Sequence, residues 1–118
     1  MGYDLHITRK AEWFDDQPKI SLEEWETYAS GDPLLSVEGL VGWKVGDKVV
    51  KAKDFAFHDP KREKHTIAAS MCWEPSGNII AKNPCQIGIA YMVLIAGRLN
   101  ARVQGDEGEL YDINGLQI

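Results

Sequence analysis

The chain is poor in cysteine, in histidine pairs and in long apolar runs, and each shortage closes off a class of function. Its 118 residues hold two cysteines, Cys72 and Cys85, too few for a disulfide scaffold and without CxxC spacing. Both are expected to be free thiols in a reducing compartment. His58, His65, Cys72 and Cys85 show none of the short spacings by which one turn offers two ligands to an ion, so no metal and no cofactor is expected. The main apolar run, residues 87–96, is far short of the roughly 20 residues of a membrane-spanning helix. Residues 1–10 alternate charged and apolar side chains and do not resemble a secretion signal. These features predict a cytoplasmic protein with no membrane contact. Basic residues are also in deficit, 13 Lys and Arg against 18 Asp and Glu, for a net charge of −5. Nucleic-acid binding needs a basic surface to displace counterions; an acidic one steers a basic protein partner, or simply maintains solubility. With no nucleophile elbow or other catalytic signature, an enzyme is not expected.

What is present predicts a single α+β domain over residues 1–118, with an antiparallel-rich sheet of about five to seven strands packed against two helices. Residues 3–9 alternate as a strand, placing Leu5 and Ile7 on one face and Asp4, His6 and Thr8 on the other. Ser21 and Glu24 form a capping box for a short helix ending near Ser30, where Gly31, Asp32 and Pro33 stop it. Residues 34–57 read as a hairpin turned at Gly46 and Asp47, with runs at 40–45 and 49–57 whose faces are too mixed to fix the register. The charged stretch 58–65 reads as a solvated loop, followed by strands at 66–73 and 78–82. Residues 83–100 then predict the central, strongly apolar helix, with Asn83 as N-cap and Pro84 in its first turn. It is apolar almost all round and should be covered on most faces. A last hairpin is predicted from residues 101–104 and 109–112 around Gly105, Asp106, Glu107 and Gly108.

Three constellations are candidates for a site. Trp13, Asp15 and Asp16 put an aromatic beside acids in one loop, and Asp106, Glu107 and Glu109 form a second acidic cluster. Either would suit a partner-binding surface, in which acids pair with Lys or Arg and an aromatic provides the buried anchor. Alternatively, Trp13 caps the core. The third is the strand row Asp4, His6, Thr8, which would serve a small enzyme or ligand-binding domain if it lined a pocket. Cys85 at a helix start is read as buried and inert.

The opening GYDLHITRK with Trp13 and Phe14, the ISLEEW helix start, GNIIAKNP (residues 77–84) and ARVQGDEGELYD (residues 101–112) resemble a family of small, largely uncharacterised bacterial cytoplasmic proteins. The likeness covers about half the chain, at its two ends. It departs at residues 71–77, where the family has a Trp-rich strand and an Arg-Asp-Gly turn, and at residues 85–88, where the family's helix start is richer in charge. Small acidic domains of this kind are similar to immunity proteins of bacterial toxin systems, including contact-dependent inhibition. The resemblance implies a protein that neutralises a cognate, basic toxin domain by direct binding. The surplus of apolar helix surface also leaves room for a homo-oligomer.

Overall fold

In the computed structural model, which describes residues 4–58 and 67–118, the first alternating segment is strand β1 (Asp4–Thr8). Leu5 and Ile7 face the core and are buried, and His6 and Thr8 on the opposite face are buried as well. That two-sided burial marks a central strand. Tyr3, the charged stretch 59–65 with His65, and Thr66 lie outside the described residues.

Helix α1 (Leu22–Ser30) begins at the expected capping box: Ser21 Oγ accepts from the Glu24 amide at 3.1 Å, and the Ser21 amide donates to Glu24 Oε1 at 3.4 Å. Arg9 uses the same carboxylate, donating from Nη1 to Oε1 at 3.1 Å and from Nη2 to Oε2 at 2.6 Å. The Arg9 hydrogen bond, followed by that from the Ser21 amide, holds the Glu24 carboxyl down to about 2. Arg9 Nε also donates to the Leu99 carbonyl at 2.9 Å. One guanidinium thus ties β1 to the start of one helix and the end of the other.

Strands β2 (Leu35–Val45) and β3 (Lys48–His58) form the long hairpin, turned at Gly46 and Asp47, with Gly46 at φ +62° where a side chain would be strained. A bulge between Val37 and Gly39 bends β2. Then follow β4 (Ile67–Trp73), β5 (Ile79–Lys82), helix α2 (Gln86–Arg98) and β6 (Arg102–Gly105). The six strands make one antiparallel sheet in the order β2-β3-β4-β5-β1-β6. Both helices cover the same face. Trp25 of α1 meets Phe55 edge to face at 5.7 Å, and Tyr91 of α2 stacks on Phe57 at 4.1 Å. Leu5, Ile7, Met71, Ile79, Met92, Ile95 and Val103 fill the space between.

Three expectations need correction. Helix α2 is capped by Cys85, not Asn83: Asn83 turns into the left-handed region at φ 46°, which Asn tolerates, and Pro84 precedes the helix. The Cys85 amide donates to the Ala68 carbonyl at 3.1 Å, docking the helix start on β4. Second, α2 is buried along one face only, by Gly88, Met92, Ile95 and Ala96, while Ile87 is 39% and Leu94 36% exposed. The sheet covers one side; on the other, the 112–115 turn reaches the start of the helix, where Gly115 packs against Gln86 and Ala90 and Gln86 Nε2 donates to the Asn114 carbonyl at 3.0 Å. Third, the last hairpin shrinks to β6 and two isolated bridges, Gln104 to Leu110 and Tyr111 to Gln117. A turn at 112–115 interrupts it: Asp112 Oδ1 accepts from the amides of Asn114 and Leu116 at 2.9 and 3.1 Å.

At the Gly31-Asp32-Pro33 helix stop lies a polar network. The Asp32 side chain is 2% exposed. Its Oδ2 accepts from Tyr28 Oη and Tyr91 Oη at 2.6 Å each, and its Oδ1 from the Leu34 amide at 2.9 Å. Arg98 Nη1 donates to Tyr28 Oη at 2.9 Å and stands 3.8 Å from the carboxylate. Burial alone would push the Asp32 carboxyl up, but the two tyrosine hydrogen bonds, the amide and Arg98 together outweigh it and hold it below its ordinary value of 3.8. Burial first, then the bond to Asp32, raises both tyrosines.

Candidate partner-binding surface

β1 sits between β5 and β6, so the sheet brings the two ends of the chain together, and with them all three constellations. His6 of β1 pairs in register with Gln104 of β6. Beyond it, the turn 105–108 places Asp106 Oδ1 at 2.9 Å from His6 Nε2 and Asp106 Oδ2 at 3.1 Å from the Asp4 amide, which donates to it. Trp13 from the 9–19 loop stacks on His6, with ring centroids 4.1 Å apart and planes 4° from parallel. Trp13 Nε1 donates to the Asp106 carbonyl at 3.2 Å.

Two buried amides hold this junction. Gln104 Oε1 accepts from the Trp13 amide at 2.6 Å, while its Nε2 donates to Glu12 Oε2 at 3.1 Å and to the Gly108 carbonyl at 3.2 Å. Asn78 Nδ2 donates to the Trp13 carbonyl at 2.7 Å. Gln104 thus clips the loop to the turn. Replacing Gln104 with leucine should leave the Trp13 amide without its acceptor, and amide exchange at residues 12–16 should speed up about tenfold, as measured by hydrogen–deuterium exchange. Unchanged exchange there would mean that the His6 stack and the bonds of Trp13 to Asn78 and Asp106 hold the loop without Gln104.

The named residues divide by role. Trp13 is half-buried and structural. Asp15 is also half-buried; its Oδ2 accepts from the Glu12 amide at 3.0 Å, closing the loop. Asp106 anchors His6. Asp16 and Glu107 are exposed, and Glu109 is half-buried with Oε1 accepting from the Glu107 amide at 3.1 Å. Phe14 is the aromatic that faces solvent, 66% exposed, with its ring edge-on to Trp13 at 5.5 Å. Of the two expectations for Trp13, binding anchor or core cap, its stacking on His6 agrees with the second. The larger indole went to the histidine, and the smaller ring stayed outside. Glu12 was also missed, although it adjoins Trp13. Phe14, Asp15 and Asp16 line one cavity with Lys10 and Lys19, and Trp13 joins their loop to the 105–109 turn carrying Asp106, Glu107 and Glu109.

The Asp4, His6, Thr8 row does not act as one hydrogen-bonded unit. His6 pairs with Asp106, Thr8 Oγ1 accepts from the Lys10 amide at 3.1 Å, and His6 is 2% exposed beneath Trp13. A base must reach the proton it takes, so His6 would act only after Trp13 lifted away. Asp4 instead lines a cavity of about 410 Å³ with Val41, Trp43, Cys72, Ile80 and Lys82. This cavity lies on the sheet face away from the helices. Burial first, then the bond to Asp54, pushes the Cys72 thiol there up to about 12, so it is a poor nucleophile at neutral pH. Both cysteines are free.

Among the described residues, no group of three or more His, Cys, Asp or Glu is placed to hold a metal ion, and no helix is long and apolar enough to cross a membrane. No protein-family model, curated protein or solved structure matches the chain.

Proposed function

We propose that the chain is a protein-binding domain acting as an immunity protein, which neutralises a basic toxin domain by covering its active surface. One observation carries this reading: the Trp13 loop and the Asp106 turn, 93 residues apart, are fastened together, which brings two acidic clusters and an exposed phenylalanine to one junction. Acids at the rim accelerate encounter with a basic partner, and an aromatic inserted at the centre slows its departure. The scaffold beneath is fastened by polar contacts, His6 to Asp106 and Gln104 to Trp13 and Glu12. The reading requires no catalytic residue. A second reading, a ligand-binding domain, rests on the cavity beside Asp4; a small molecule retained by purified protein and displaced on replacing Trp43 would favour it.

The test is co-expression with a basic toxin domain encoded beside the gene, followed by stopped-flow association of the purified pair. Asp16 and Glu107 are the residues to reverse, because Asp15 and Asp106 also hold the fold. D16K/E107K should slow association about tenfold at low salt and flatten its salt dependence. F14A should leave the association rate nearly unchanged and raise the dissociation rate about tenfold or more. If growth protection and both rates survive these changes, the surface is not the binding site.

A further inference from the structure

Lys10 is a buried charge that the partner-binding reading leaves unused. It follows β1, its amide donates to Thr8 Oγ1 at 3.1 Å, and it is 1% exposed. An ammonium so enclosed ordinarily has a carboxylate partner, because a desolvated charge is costly unless it is paired. Among the described residues Lys10 forms no ion pair. Its Nζ donates instead to the Ser76 carbonyl at 2.7 Å. A carbonyl accepts from a neutral amine as well as from an ammonium, so this bond holds the nitrogen in place without requiring its charge.

Lys10 lines the cavity of about 290 Å³ between the 9–19 loop and the 74–77 turn. The loop and the turn are closely seated: the Ile20 amide donates to the Gly77 carbonyl at 2.9 Å, and a Cβ added at Gly77 would stand 2.4 Å from Lys19 Cβ. That contact fixes the stem of Lys19, a second cation in the same wall. Trp13 and Phe14, set edge to face, supply an aromatic part, and Asp15, Asp16 and Glu74 an acidic one. Burial first, and Lys19 next, lower the Lys10 amine from its ordinary value of 10.5; Glu74, Asp16 and Asp15 act in the opposite sense without reversing the shift. A lysine becomes a nucleophile when it is desolvated and set near another cation.

We propose that Lys10 is a covalent binding site for aldehydes, above all those bearing an aromatic ring, which it captures as imines inside this cavity. The Nζ lone pair attacks the carbonyl carbon, a C–N bond forms, and the carbonyl electron pair moves to oxygen, which takes up a proton. Loss of water from this adduct then breaks the C–O bond and leaves C=N. Amine and aldehyde thus become imine and water, with no oxidant or reductant consumed. The proton that leaves nitrogen returns to the departing hydroxyl, and the carboxylates of the same cavity are the carriers at hand. The ring of the aldehyde lies against Trp13 and Phe14. The inference does not rest on the toxin-binding reading: it concerns the free chain and a small molecule, and either can fail without the other.

The test is to incubate the full chain with benzaldehyde and sodium cyanoborohydride, which transfers hydride to the imine carbon and fixes the adduct as a secondary amine. Peptide mass spectrometry at early times then locates the modified lysines. Lys44, Lys48, Lys51 and Lys53, all exposed, are the internal reference. At neutral pH Lys10 should be modified about tenfold faster than any of them. Its lead should shrink as the pH is raised towards 10.5, where the exposed amines gain their free form. K19Q keeps the stem that packs beside Gly77 and removes the charge, so Lys10 should react about two- to threefold more slowly at neutral pH. Propanal, which has no ring to lie against Trp13 and Phe14, should show a smaller lead for Lys10. A Lys10 that reacts no faster than the exposed lysines at neutral pH overturns the proposal, as does a lead that persists unchanged at high pH. An equal lead for propanal overturns the preference for an aromatic ring.

Discussion

Replacing Asp32 with alanine should lower the melting temperature by about 10–15 °C and leave a folded but weakened protein. The reason lies in what would be stranded. Tyr28 Oη and Tyr91 Oη both point at one carboxylate oxygen, and the Leu34 amide at the other. Without the carboxylate, three donors lose their acceptor in a place where the Asp32 side chain is almost completely enclosed, and Arg98 loses its countercharge. Breaking one partner of a buried charged network costs about 3 kcal/mol or more, because the remaining groups stay desolvated and unpaired. Asparagine keeps the shape and one acceptor oxygen, so D32N should cost less than D32A.

The two variants also separate in pH. The folded-state value of Asp32 is depressed, so its ionised form favours the folded state. That contribution is complete above the unfolded carboxylate's ordinary value of 3.8 and is lost as pH falls through the lower folded value. D32N has no such proton to take up. The stability gap between wild type and D32N, measured by denaturant titration, should therefore narrow as the pH is lowered from neutrality into the acid range. A gap that stays constant would show that Asp32 is not the carboxylate held in the network.

Asp32 also shows which parts of this fold can be read from the chain. Ser21 and Glu24 announce their helix because all the groups in a capping box lie within four residues. The Gly46-Asp47 turn and the alternation in β1 are equally local, and a six-stranded antiparallel sheet with two helices falls within what such signals predict. Asn83 and Pro84 looked like a helix start by the same kind of rule. The rule fits more than one register, and the tertiary bond from the Cys85 amide to Ala68 chose the later one. The candidate site was legible in its residues but not in its assembly. Trp13 and the Asp106 turn could each be named, yet only the insertion of β1 between β5 and β6 shows that they are neighbours. Nothing within reach of Phe14 in sequence decides that it, and not Trp13, is left outside; that depends on His6 offering an aromatic face from the opposite side of a buried strand. Asp32 follows the same pattern. It sits in a Gly-Asp-Pro helix stop, and its partner Tyr91 is 59 residues away.

The other large effect should come from the smallest side chain in α2. Substituting Gly88 with alanine adds a Cβ that would sit 2.1 Å from the Ala68 carbonyl oxygen and 2.6 Å from its carbon. Backbone atoms cannot rotate out of the way as a flexible side chain could, so either the first turn of α2 lifts off β4 or the strand bends. Lifting the helix also threatens the Cys85 amide bond to the same carbonyl, and it would part Met92 and Ile95 from the core they fill. Overpacking against backbone should therefore cost about 3 kcal/mol or more for G88A, with G88V failing to fold at 37 °C. Gly97, nine residues further along the same helix, is the internal control: a Cβ there would meet nothing within 4 Å. G97A should raise stability by about 0.5–1 kcal/mol, as alanine favours a helix interior over glycine. The same chemical change in the same helix is thus expected to act in opposite directions. Thermal melts of G88A and G97A side by side decide the point: equal shifts would mean that helix propensity governs both sites, and that α2 is not seated on the Ala68 carbonyl through Gly88.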